Sequence, residues 1–326
     1  MTDYRLLSPK AALVVLTLLT AVFRIHALFA NSFHADEALF ASWARLIAVW
    51  RDPLLQTVAV DKPPLLFYAQ ALFFPLLGPV EWAARLPNLI ASILLVPLVA
   101  VWVWRWYRDG KTAVFAAALV ALSPLHIQFS ATAFTDPLLT TLLVGALLVS
   151  GRPTKNKKQK TKNNVASRPL RVQQISGLFF GLAAATKHQA WLFLPLVVGT
   201  AVLSCWGWRE WRRWLTGFLP MLGLVTGWEI ARTGPLSLWA QQMSNFGGLR
   251  LIWSWELWPR LQSWWGLMQT LWGWGITAVF LVMILIWLVA SFKNNRTQIN
   301  ADDADEEKKS LAPFLKMRRG RTRKNA

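Results

Sequence analysis

The sequence predicts an all-α protein, a polytopic transmembrane helical bundle of about eight spans. Three observations predict it. Apolar residues make up 55% of the chain and run in long blocks almost free of charge. Such blocks match the roughly 20 apolar residues that a helix needs to cross a bilayer core. They are too long and too continuously apolar for the alternating strands of a membrane barrel, and lipid tolerates only helices or closed barrels. Finally, the 35 Lys and Arg flank the blocks, and many of the 21 Trp sit at block ends, where positive charge sets orientation and indole rings anchor at the interface. A net charge of +19 would suggest nucleic acid in a soluble protein. Here membrane orientation accounts for it, and no nucleic-acid partner is expected.

The blocks run over residues 9–30, 86–104, 112–133, 137–150, 175–186, 190–206, 214–230 and 265–292. The first lacks a small-residue cleavage site and is expected to remain as a span. Segment 63–77 opens with Pro63 and Pro64 and is short for a span, so it reads as a juxtamembrane helix. Were it to span, the basic linker 151–174 would lie outside, against the positive-inside tendency. Left at the interface, it sorts most of the Lys and Arg to the cytoplasmic side, together with both termini. Residues 1–292 are then a membrane domain, with one long external loop over 31–85 and a Trp-rich second one over about 231–264. Block 175–186 is short, and Pro195 and Pro220 are expected to kink their helices. The linker and the tail 293–326 read as solvated cytoplasmic segments, the tail disordered, and both attract anionic membrane lipid. Cys205 is the only cysteine, which excludes an internal disulfide.

This topology gathers ionisable residues from distant parts of the chain onto the outer face. Charge at membrane depth is costly and usually has a reason. Asp36 and Glu37 follow the first span and open an amphipathic stretch to Trp50. Adjacent helical residues point about 100° apart, so one carboxylate can face a pocket while the other caps the helix. A pair of solvated cap carboxylates fits the spacing equally well. Asp61-Lys62-Pro63-Pro64 holds an acid and a base at headgroup level, or simply starts a helix with a snorkelling lysine. Asp136 lies in a loop too short to carry it far into water, and either finds a partner or caps the helix before Pro137. Lys187, His188 and Gln189 form a polar tip that could meet an anion or merely make a turn. His34 and His188 could join carboxylates around a metal, but no pair has diagnostic ligand spacing. No Gly-rich phosphate loop is present, so a soluble nucleotide donor is not supported.

Taken together, His34-Ala35-Asp36-Glu37-Ala38, Asp61-Lys62-Pro63-Pro64-Leu65, Glu81-Trp82-Ala83-Ala84-Arg85-Leu86-Pro87, Thr135-Asp136-Pro137 and Ala185-Thr186-Lys187 resemble glycosyltransferase family 39. These are the protein O-mannosyltransferase and aminoarabinose-transferase-like enzymes of the GT-C membrane fold. The resemblance covers roughly residues 10–200. It implies a polyprenyl-phosphate sugar as donor, an extracytoplasmic active site in the cell membrane, and a protein, lipid or glycan acceptor. It matches Asp36 and Glu37 to the catalytic acidic motif and Asp136 to a second essential aspartate. Asp61 and Lys62 match the segment near the donor phosphate, and Arg85 and Lys187 match basic donor-site positions.

The chemistry implied is an inverting displacement. A carboxylate base, expected to be Asp36, activates the acceptor hydroxyl, and Glu37 or Asp136 orients it. Lys62, Arg85, Lys187 or Arg250 meets the charge developing on the departing phosphate. Some relatives use a divalent metal, and the resemblance leaves that open. The chain departs from family members that have more spans and a C-terminal external domain. Two rivals remain. A lipid-linked sugar transporter or flippase would need ionisable residues near midspan, often in repeated halves, and neither is evident. An inactive scaffold subunit would keep the fold with dispensable carboxylates.

Overall fold

The computed structural model describes residues 8–30, 32–151, 171–232, 235–246 and 253–267, with isolated positions between 269 and 285. Nearly all of the basic linker, most of block 265–292 and the whole tail lie outside the described residues. Residues up to Leu249 form one compact unit and Arg250–Ala326 a second. In the second unit, residues 254–267 are helical. All that follows concerns the first.

Regular structure among the described residues is helical throughout. Helix α1 (Pro9–Ala30) and helix α5 (Glu81–Tyr107) are each long and apolar enough to cross a membrane. Between them come α2 (Ala35–Ala48), α3 (Leu65–Ala71) and α4 (Phe74–Leu77). The apolar stretch Leu65–Leu77 reaches only about 20 Å even as continuous helix, short of a bilayer core of about 30 Å.

Block 112–133 is not one straight span. It divides into α6 (Gly110–Ala121) and α7 (Pro124–Ser130), bent by 58°. Ser123 caps α7 through the His126 N–H, and Pro124 has no N–H with which to continue α6. The break strands the last carbonyls of α6. Arg24, fully buried in α1, donates to two of them, Ala121 at 3.1 Å and Val120 at 3.2 Å. That use explains an arginine inside an apolar helix, which would otherwise be costly.

The remaining elements are α8 (Asp136–Ser150), α9 (Arg171–Thr186), a 3-10 turn (His188–Phe193), α10 (Leu194–Leu203), α11 (Trp208–Ile230) and α12 (Leu238–Phe246). Helices α9 and α11 touch backbone to backbone. A Cβ on Gly177 would stand 2.0 Å from the Trp214 carbonyl oxygen, and one on Gly217 would stand 1.9 Å from that of Gln174. Small residues permit such close approach between membrane helices, where van der Waals contact drives association.

The segment between α1 and α5 is a folded layer. Phe40 and Trp43 of α2 pack on Phe67 of α3, and Ala83 and Ala84 of α5 complete the core. Trp43, Trp214 and Trp228 are buried, so part of the Trp content serves the interior and not the interface.

Candidate active site

The site begins at the N-terminus of α2. His34 is the N-cap, and its Nδ1 accepts the Asp36 N–H at 3.3 Å. The Glu37 carboxylate accepts the His34 N–H at 2.9 Å, closing a reciprocal capping box. This fixes which way each acid faces. Glu37 turns inward, only 3% exposed. It accepts Arg85 Nε at 3.2 Å, Arg85 Nη2 at 3.3 Å and the Ala133 N–H at 2.6 Å. Arg85, on α5, also donates to the carbonyls of Leu28 and Ser32 and lies 5.1 Å from the Phe33 ring centre. One turn along α5, Asn88 donates to the carbonyls of Thr132 and Phe134 at 2.7 and 2.5 Å. Thus α1, α2, α5 and the segment before α8 are joined around one buried ion pair. Asp36 is exposed, and its carboxylate has no partner among the described residues.

Segment 131–135, held by Glu37 and Asn88, leads directly into Asp136, the first residue of α8. The His34 ring packs 5.5 Å from that of Phe134, which places the α2 cap beside this entry. Asp136, 55% exposed, accepts Lys187 Nζ at 2.7 Å. Lys187 sits in extended backbone between α9 and the 3-10 turn, and only its side chain reaches across.

Asp61 and Lys62 pair directly with each other, both half-buried. His188 lines a cavity of about 230 Å³ with Trp191, Met221, Glu229 and Trp239. Burial and the nearby Lys62 charge hold its pKa below the ordinary histidine value, against the opposing pull of Glu229 and Asp61. Lys62 and Lys187 therefore belong to the same end of the unit, beside His188.

A second clasp fixes that end. Arg232 is buried and donates to the carbonyls of Leu55, Val58 and Leu236 at 2.7, 2.9 and 2.8 Å. Its guanidinium lies 4.4 Å from the Trp228 ring centre. Glu229 accepts the N–H groups of Leu238 and Trp239, which begin α12. Asp52 accepts the N–H groups of Gln56 and Thr57 and the Thr57 hydroxyl. Burial raises the Asp52 pKa, but these hydrogen bonds and the Arg232 charge outweigh it, so the net shift is downward.

The expected residues therefore divide. Asp36, Asp61, Lys62, Asp136, Lys187 and His188 lie at one end with side chains wholly or partly open. Gln189 is exposed beside them, and His34 is used as a cap. Arg85 departs from its expected place at the donor phosphate. It is 2% exposed and spent on Glu37 and carbonyls, because a buried carboxylate needs a neutralising partner. Arg250 lies outside the described residues. Among the described residues, no three His, Cys, Asp or Glu gather as metal ligands. Asn88 and Arg232 were not foreseen as positioning residues. The one sign of Asn88 was an amide side chain within block 86–104, whose only other polar residue is Ser92 apart from the Trp indoles.

Comparison with known proteins gives the family and the fold. The sequence profile of the dolichyl-phosphate-mannose-protein mannosyltransferase family matches residues 61–231. YycA of Bacillus subtilis (strain 168), which carries the name of a mannosyltransferase, is 32% identical over 90 residues, 27% of this chain and 13% of YycA. The apo crystal structure of ArnT from Cupriavidus metallidurans matches with a TM-score of 0.52 at 20% identity, covering 70% of this chain and 44% of ArnT. ArnT bound to undecaprenyl phosphate matches with a TM-score of 0.50 at 19% identity, covering 71% and 44%. The chain thus spans less than half the length of these relatives, and the structural likeness speaks for the fold. With the profile covering more than half of the chain, this membrane protein belongs to the dolichyl-phosphate-mannose-protein mannosyltransferase family of GT-C glycosyltransferases.

Proposed function

We propose that this chain is a membrane glycosyltransferase that moves a sugar from a polyprenyl-phosphate carrier to a hydroxyl of an extracytoplasmic protein, lipid or glycan. The observation that carries it is the exposed Asp36 carboxylate beside a buried, multiply hydrogen-bonded Glu37–Arg85 pair. Two lysines stand at the same end, each matched to one carboxylate: Lys62 with Asp61 and Lys187 with Asp136. Family membership and the polyprenyl phosphate bound by ArnT support the carrier class.

In the reaction, Asp36 takes the proton of the acceptor hydroxyl. The freed oxygen attacks C1 of the sugar from the face opposite the phosphate. The C1–O bond breaks, its electrons stay on the phosphate, and the configuration inverts. Lys62 and Lys187 meet the charge that grows on the phosphate. Glu37 and Arg85 hold the α2 N-terminus in register, and Asp136 orients Lys187. The topology that accompanies this reading has eight spans, both termini cytoplasmic and the site outside. Residues 1–292 form the membrane domain and 293–326 a cytoplasmic tail.

The test is transfer of radiolabelled mannose from undecaprenyl-phosphate mannose in membranes carrying the full chain. Losing a positioned base lowers turnover by about 10²–10⁴-fold, so Asp36→Asn is expected to do so with membrane insertion unchanged. Wild-type turnover by Asp36→Asn would remove Asp36 as the base.

A further inference from the structure

Asp136 has a second neighbourhood that the reaction above does not use. A pocket of about 450 Å³ opens between α5, α7 and α8. Its polar walls are Ser92, His126, Ser130, Asp136 and Thr140, and its apolar walls include Leu125 and Phe129. Among the described residues, the Ser92 hydroxyl, the His126 imidazole and the Asp136 oxygen not bound to Lys187 have no hydrogen-bond partner. These three groups come from three different helices.

The walls select a ligand class. No lysine or arginine lines the pocket, and the Asp136 charge is already balanced by Lys187, so no lining side chain supplies free positive charge for a phosphate. A purely hydrocarbon occupant would leave three polar groups unsatisfied, at a cost for each. A neutral sugar ring satisfies both demands. Its hydroxyls meet groups that between them donate and accept, and its C–H face lies against Phe129 and Leu125. The volume falls in the usual range of small-ligand sites, about 300–1,000 Å³.

We propose that this pocket is a sugar subsite, with Ser92, His126 and Asp136 binding the ring hydroxyls. The inference rests on the reading of the chain as a sugar transferase. The ring has two sources, the donor or a glycan acceptor, and the test separates them.

The full chain in nanodiscs is titrated with undecaprenyl phosphate and with undecaprenyl-phosphate mannose, as wild type, Ser92→Ala and His126→Phe. His126→Gln stands in if His126→Phe lowers the unfolding temperature. A donor sugar in the pocket predicts that each variant weakens the glycosylated carrier about three- to tenfold, the size of one hydrogen bond, and leaves the bare carrier unchanged. An acceptor sugar predicts wild-type affinity for both carriers and wild-type donor hydrolysis, with slower transfer to a glycan acceptor. Equal weakening of both carriers, or no change in any of these, overturns the subsite.

A carrier-free reading keeps the two claims apart. Methyl α-mannoside is expected to show saturation-transfer NMR contacts that Ser92→Ala and His126→Phe reduce. If that signal persists while wild type binds neither carrier, the subsite stands and the transferase reading falls. If wild type shows no such signal and does not discriminate between the carriers, the subsite falls.

Discussion

Two acid–base pairs sit close together in this molecule and have opposite fates. Glu37–Arg85 is sealed from water, at 4% and 2% side-chain exposure, whereas Asp136–Lys187 stands at 55% and 17%. The chemistry of the partners is nearly the same, so burial and extra hydrogen bonds make the difference. Glu37 also holds two backbone N–H groups, and Arg85 also holds two carbonyls. A pair so enclosed cannot meet a ligand without leaving a charge stranded. Asp136 and Lys187 can exchange each other for a phosphate or a hydroxyl at little cost. Tight pairing builds the frame, and loose pairing leaves charge ready for substrate.

Removing one partner from each pair sharpens that contrast. Arg85→Ala strands a buried carboxylate and is expected to cost about 3–5 kcal/mol, read as a large fall in unfolding temperature in detergent. A small fall would mean that water reaches Glu37 and that the pair is not a frame. Gly177→Leu breaks a different part of the frame, since any side chain meets the Trp214 carbonyl. Forced overpacking typically costs about 1–3 kcal/mol, and the same unfolding measurement reads it. Lys187→Met should change stability by only about 0–1 kcal/mol. It is nonetheless expected to weaken undecaprenyl-phosphate binding about tenfold, the loss of one charge-assisted contact, in the same titration. Unchanged affinity would place the phosphate elsewhere.

The smallest effect is one of pH. Asp52 has its folded pKa depressed, so its contribution is complete above the unfolded value of about 3.9. It is lost as pH falls through the lower folded value. Protease protection of loop 51–62 should therefore hold from neutral pH to about 5 and weaken below about 4. Weakening that begins near neutrality would point to a histidine instead.

Much of the frame was legible in the sequence. Blocks almost free of charge mark α1 and α5, and the two prolines at 63 and 64 with the short apolar run after them mark a segment too short to cross. The break within 112–133 was not foreseen, although Ser123-Pro124 is a cap followed by a residue that cannot donate. Helical geometry required Asp36 and Glu37 to face different ways. It could not say which turned inward, because that depends on Arg85 and Ala133, 48 and 96 residues away. Arg85 carried the same formal charge as the lysines, and only its burial set it apart. Asn88 and Arg232 act by binding carbonyls of distant segments, a role with no local sequence pattern.

The central claim is that adjacent carboxylates divide chemistry from structure. Asp36→Asn and Glu37→Gln, measured side by side for mannose transfer and unfolding temperature, test it most directly. The account predicts that Asp36→Asn loses transfer at an unchanged unfolding temperature and that Glu37→Gln lowers the unfolding temperature by several degrees. Loss of transfer by Glu37→Gln at full stability, with Asp36→Asn still active, would contradict it.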